Sequence, residues 1–168
     1  MKTLALLAPF VFLTSCAGYR LGDAKPAAMA KVNRISVSMF SNSTLHPRAE
    51  ALATSAVTNA LVTDGTYKIS SLDQADAVLE GEVGEIRYRT IRSTRLDTMQ
   101  PEELANTVTL NWTLRDARNP TRILATGSSS GSSQLFVSSN LQTARNNALP
   151  EALAHAGESL VSRISNGF

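Results

Sequence analysis

The sequence predicts an α+β fold: a two-layer sandwich in which two helices pack on one face of a mainly antiparallel sheet of four to five strands. Three observations carry this. Leu104, Val108, Leu110, Trp112 and Leu114 alternate with Ala105, Thr107, Thr109, Asn111, Thr113 and Arg115, the period of a strand with one buried and one wet face; Asn106 alone breaks the apolar side. Ala49, Leu52, Ala53, Ala56, Val57, Ala60 and Leu61 recur at spacings of three and four and draw one apolar stripe down a helix. Leu141, Ala148, Leu149, Ala152, Leu153, Ala156, Leu160 and Ile164 draw a second.

The remaining elements follow in chain order. Ile35, Val37 and Met39 alternate with Arg34, Ser36 and Ser38 as a first strand. Phe40 to Pro47 reads as a turn and helix start, with Ser43 or Thr44 capping and Pro47 in the first turn, and Asp64-Gly65 as the stop. The alanine-rich stripe between them allows the helix to lie close to a sheet. Tyr67 to Ser70 is a short strand and Ala75 to Thr90 a long one. Ala77, Leu79, Gly81 and Val83 share a face there, but Ile86 and Tyr88 have the opposite parity, which predicts a bulge near Gly84-Glu85. Asn119-Pro120 turns the chain into a Gly/Ser-rich strand over Ile123 to Val137. Ser139 or Asn140 starts the second helix, which Pro150 kinks or divides and Asn166-Gly167 ends. The face away from the helices is rich in Ser, Thr, Asn and Arg, so it meets either water or another protein.

Met1-Lys2 followed by the apolar run Leu4 to Leu13 and then small polar residues has the order of a secretory signal. A membrane-spanning helix would need roughly 20 apolar residues, and Pro9 interrupts this run. Leu13-Thr14-Ser15-Cys16 resembles the bacterial lipobox, which implies cleavage before Cys16, the one cysteine of the chain, and acylation of its sulfur and new amino group. Each buried methylene contributes about 0.8 kcal/mol, so two or three acyl chains hold firmly where one would not. Ala17 rather than Asp after the cysteine implies, by the best-known sorting rule, the outer membrane. The expected organisation is a leader over 1–15, a lipidated N terminus and tether over 16–30, and one domain over 31–168.

Losing Lys2 with the leader leaves 15 basic against 14 acidic residues, a balance that predicts no nucleic-acid partner. One cysteine and two distant histidines, His46 and His155, offer no zinc spacing, and no cofactor motif is present. Gly127-Ser128-Ser129-Ser130-Gly131 satisfies G-x-S-x-G, but a strand rather than a helix follows it, and Glu151 is the one acid between Ser129 and His155. An enzyme is therefore not expected. Asn42-Ser43-Thr44 matches a glycosylation sequon on which no function rests.

Arg87, Arg89, Arg92 and Arg95 crowd the end of the long strand and its exit. The guanidinium fork suits phosphate or carboxylate. A charged strand edge that discourages aggregation, with Glu80, Glu82 and Glu85 pairing some of the arginines, is the alternative.

Taken in order, Cys16-Ala17-Gly18-Tyr19-Arg20-Leu21, Phe40-Ser41-Asn42-Ser43-Thr44 after the first strand, and Ala75-Asp76-Ala77-Val78-Leu79-Glu80-Gly81 opening the long strand resemble the LPS-assembly lipoprotein family, LptE. The family's Gly-Tyr pair sits one residue later here. The resemblance implies a non-enzymatic outer-membrane lipoprotein, anchored on the periplasmic side, that plugs and supports assembly of the LptD β-barrel and binds lipopolysaccharide for insertion into the outer leaflet. Arg87, Arg89, Arg92 and Arg95 are the candidate ligands for its phosphates. A scaffold or activator of envelope enzymes is the alternative.

Overall fold

In the computed structural model, residues 25–94, 100–136 and 140–167 are described. Six strands and two α-helices follow in chain order as β1 (Arg34–Val37), β2 (Ser41–Asn42), α1 (Ala49–Asp64), β3 (Lys68–Ile69), β4 (Ala77–Thr94), β5 (Gln100–Asp116), β6 (Ile123–Phe136) and α2 (Leu141–Asn166). Both helices lie on one side of a single sheet of order β3-β1-β4-β5-β6, with β2 also paired to β4. The two-layer α+β sandwich is therefore as expected. The sheet is larger and mixed: β1 runs parallel to both β3 and β4, and β2 is parallel to β4, while β4, β5 and β6 form an antiparallel meander.

The meander carries the core because its alternation is consistent across all three strands. Leu79 pairs with Leu114 and Val83 with Leu110, and both pairs are fully buried beneath the helices. The register then shifts between Val83 and Glu85, so that Glu85 faces Thr109 and Ile86 faces Val108. This bulge is the phase reset that the parity change around Gly84 predicts.

α2 crosses β5 and β6 and buries Leu149, Leu153, Leu160 and Ile164. Its approach depends on Gly131, where a Cβ would run into the backbone of Ala152 and Ala156. Asn140 caps its first turn by accepting from the Thr143 amide at 3.1 Å, and Gly167, at φ 79°, closes its end. The helix continues through Pro150 rather than dividing there.

α1 differs from expectation in two respects. Neither Ser43 nor Thr44 caps it; the helix starts after Arg48, which takes φ 65° without a side-chain cap, because Ser41–Asn42 is drawn into the sheet and Asn42 closes its own turn on Thr44. Its alanine stripe also serves α2 more than the sheet. Gly157 faces the backbone of Ala56 and Val57, so the small residues let two helices come together. Tyr67 locks the arrangement by donating its hydroxyl to the Ile164 carbonyl at 3.2 Å; burial, with the nearby Asp64 charge, pushes that phenol up to about 12.

The start of β1 is held by Asp76, whose carboxylate accepts from the Asn33 and Arg34 amides at 3.1 and 2.9 Å. The Asn33 and Arg34 amide bonds, helped by the Arg34 and Arg118 charges, hold this carboxyl below its usual range against a smaller desolvation cost. No described helix is long and apolar enough to cross a membrane.

Two outcomes test this packing. Gly131→Ala forces α2 off β6 and should cost about 1–3 kcal/mol, read as a fall in chemical-denaturation midpoint without a change in slope. Asp76 is depressed on folding, so its contribution is present above the unfolded value of 3.8 and is lost as pH falls through the lower folded value. Asp76→Asn should therefore lower Tm at pH 7, with the gap to wild type closing as pH falls below 3.8.

Candidate functional site on the open sheet face

The helices leave the other side of the sheet uncovered. Cross-strand rows fill it: Glu80, Thr113 and Thr126; Glu82, Asn111 and Ser128; Glu85, Thr109 and Ser130; Arg87, Thr107 and Ser132. These side chains are hydroxyls, amides and charges. The rows sort by charge along β4, with three glutamates towards its start and the arginines towards its end. A shallow depression of about 530 Å³ lies over the acidic end, among Glu80, Glu82, Asn111, Thr113, Thr126 and Ser128.

The structure resolves what the arginine run does. Arg87 forks onto Glu85 two residues back, with Nη2 at 2.9 and 3.0 Å from the two carboxylate oxygens. The pair is largely exposed, at 71% and 55%, so it adds little stability and leaves Arg87 free to exchange partners. Arg89 is exposed on the same face and forms no ion pair among the described residues. Arg92 reaches Glu103 across the strands at 4.0 Å. Arg95 and Cys16 lie outside the described residues. Glu80 is taken by Arg115 at 2.9 Å, and Glu82 accepts from the Ser43 hydroxyl. Among the described residues the glutamates thus draw off only Arg87 and Arg115 within hydrogen-bond range, and the arginines towards the end of β4 outnumber the carboxylates paired with them.

The G-x-S-x-G residues fall inside β6. Ser129 is 1% exposed and accepts from Trp112 Nε1 at 3.1 Å. His155 donates from Nδ1 to the Ser132 carbonyl at 2.7 Å. Nucleophile and base are each engaged elsewhere, so this run is a strand with a buried serine.

Sequence reasoning missed a polar group on the helix side. Tyr88, next in parity after the bulge, shares a hydrogen bond of 2.7 Å between its hydroxyl and His46 Nε2, and the Arg145 guanidinium stacks 4.6 Å above its ring. Opposite Tyr88, on β5, is Asn106, which is fully buried with neither amide atom partnered. Burial, reinforced by the Arg145 charge, holds the His46 imidazole below its usual range. Burial also raises the Tyr88 phenol, with the Arg145 charge acting in the opposite sense. The one signal available beforehand was Asn106 itself, the single polar residue on the apolar side of β5 between Leu104 and Leu114.

Comparison with known proteins bears on the whole domain. A search of curated proteins returns no match. Among solved structures, the fold is similar to a protein from Xanthomonas campestris (TM-score 0.56, 17% identity, 85% of this chain and 87% of that one). It is also similar to a minor lipoprotein from Acinetobacter baumannii (TM-score 0.53, 11% identity, 81% and 94%). Uncharacterized lipoprotein B from Nitrosomonas europaea is a third (TM-score 0.53, 13% identity, 81% and 84%). At these identities the likeness is one of fold. Residues 32–164, from the turn before β1 to the last turn of α2, match the lipopolysaccharide-assembly family, and the chain therefore belongs to the LptE family.

Proposed function

We propose that this protein is a non-enzymatic outer-membrane lipoprotein, anchored on the periplasmic side through acylated Cys16, that plugs an LptD-type β-barrel, supports its assembly and binds lipopolysaccharide for insertion into the outer leaflet. The observation that carries the reading is the uncovered sheet face. Three long strands turn threonine, serine and asparagine outwards in continuous rows, and membership of a lipopolysaccharide-assembly family supplies the context. The lumen of a membrane β-barrel is polar, so a hydroxyl- and amide-covered sheet can be enclosed there without desolvating an apolar surface.

The positive end of β4 is the proposed lipopolysaccharide contact, with Arg87, Arg89, Arg92 and Arg95 donating to phosphate. Arg89 is the strongest of these because no carboxylate among the described residues holds it; Arg87 must first release Glu85, which its exposure makes inexpensive. Charge-assisted hydrogen bonds of this kind contribute about 1.5–3 kcal/mol each.

Detergent extraction of the envelope should recover the chain in a stable complex with a large β-barrel. Recovery with a soluble or inner-membrane partner instead would favour a scaffold or activator of envelope enzymes. Arg87→Ala combined with Arg89→Ala should weaken lipopolysaccharide binding by about tenfold or more while the thermal transition is retained, the scale set by losing one charge-assisted bond. Cys16→Ser should leave a precursor that fractionates away from the outer membrane; an unchanged distribution would refute the anchor.

A further inference from the structure

We infer that the segment Gly18-Tyr19-Arg20-Leu21 docks in the groove between α1 and α2, with Tyr19 and Leu21 on its apolar floor and Arg20 on its acidic rim. The groove is a cavity of about 370 Å³ between the C-terminal halves of the two helices. Ala56, Ala60, Ala154 and Val161 floor it, mostly small side chains that leave room for larger ones. Two carboxylates, Asp64 and Glu158, stand on the rim, and no basic residue lines it. Among the described residues neither carboxylate is in an ion pair.

The described chain begins at one end of this groove. Gly157 faces Ala56, and Ser165 donates to Asp64 at 3.0 Å, so the two helices run side by side in the same direction and the groove ends at Asp64 and Asn166. Pro26 packs there against Gly167, its Cγ 3.0 Å from where a Cβ would stand. Lys25 donates to the Val32 carbonyl at 2.8 Å and lies 4.8 Å over the ring of Tyr67, which itself bonds the last turn of α2 at Ile164. An extended chain advances about 3.3–3.6 Å per residue, so Arg20 can lie up to roughly 17 Å from Lys25. Glu158 is about 12 Å up the helix from Asn166, well within that reach. Tyr19 and Leu21 share one side of an extended chain, so both can meet the alanines while the long Arg20 side chain extends to the rim.

Charge selects the same segment. Arg20, opposite in sign to the rim, sits between the two large apolar residues that the floor can take. Asp64 is already engaged by the Thr66 amide and the Ser165 hydroxyl, which leaves Glu158 as the partner for Arg20. A short segment joined to the domain samples the groove at roughly millimolar effective concentration, so contacts too weak to hold a free peptide suffice. The inference depends neither on acylation of Cys16 nor on a barrel partner. Docking gives the anchor proposed above a fixed exit, past the Ala56 and Ala154 end of the groove.

The test places the photoreactive residue p-benzoylphenylalanine at Tyr19 of the full chain in dodecyl maltoside and maps the products by mass spectrometry. The expected product is intramolecular and joins position 19 to residues 56–64 or 154–166. Glu158→Lys should lower its yield about two- to fivefold, the scale of one exposed ion pair, and Arg20→Glu in the same chain should restore it. Glu158 is exposed, so its reversal leaves the core intact, and an unchanged Tm checks that it does. A product joining two copies would make a second molecule the occupant and overturn the inference. Attachment elsewhere in the chain, no product at all, or a yield indifferent to both charge changes would overturn it as well.

Discussion

The structure depends on the alternation of β5. That strand is paired along its length on both sides, so its parity decides which side of the whole meander is dry and which is wet. Val108, Leu110, Trp112 and Leu114 commit one side to the helices. Thr107, Thr109, Asn111 and Thr113 then have no choice but the other, and β4 and β6 must follow in register. A slip of one residue would place the threonine row under α2. The bulge at Gly84 exists because β4 has to re-enter this register after its own pattern changes phase.

Close packing on the dry side is achieved with small residues rather than large ones. Gly131 admits the backbone of α2, and Gly157 admits α1 against α2. A layer assembled this way can be thin, which suits the enclosure by a barrel proposed above. The wet side is asymmetric in charge as well as polar, with Glu80 and Glu82 at one end and Arg87 and Arg89 at the other, so a partner or ligand meets a surface with a direction along the strands.

Much of this was legible in the sequence, for identifiable reasons. Long strands and long helices carry their period many times over, so β4, β5, β6 and both helices could be read from residues alone, as could the bulge. Pairing partners could not, because nothing local in Ile35 or Val37 distinguishes a parallel neighbour from an antiparallel one. The two residues of β2 are too few to show a period, and their entry into the sheet is what displaced the expected helix cap at Ser43 or Thr44. The arginine run was visible as spacing, but its division into a paired Arg87 and an Arg89 with no ion pair among the described residues required the fork onto Glu85 to be seen. Asn106 stood out as an exception in an apolar row; only the fold could place it across from Tyr88, because Arg145 and His46 reach that point from elements far apart in sequence.

In the proposed function the wet face of the meander, rather than the helix layer, is the surface that the partner encloses. Photo-crosslinking from within the intact envelope tests it most directly, with the reactive side chain placed at Thr109 on the open face or at Asn59 on the exposed surface of α1. Thr109 should crosslink to a large β-barrel protein, and Asn59 should give no crosslink of comparable yield. Efficient crosslinking from Asn59 with none from Thr109 would contradict it.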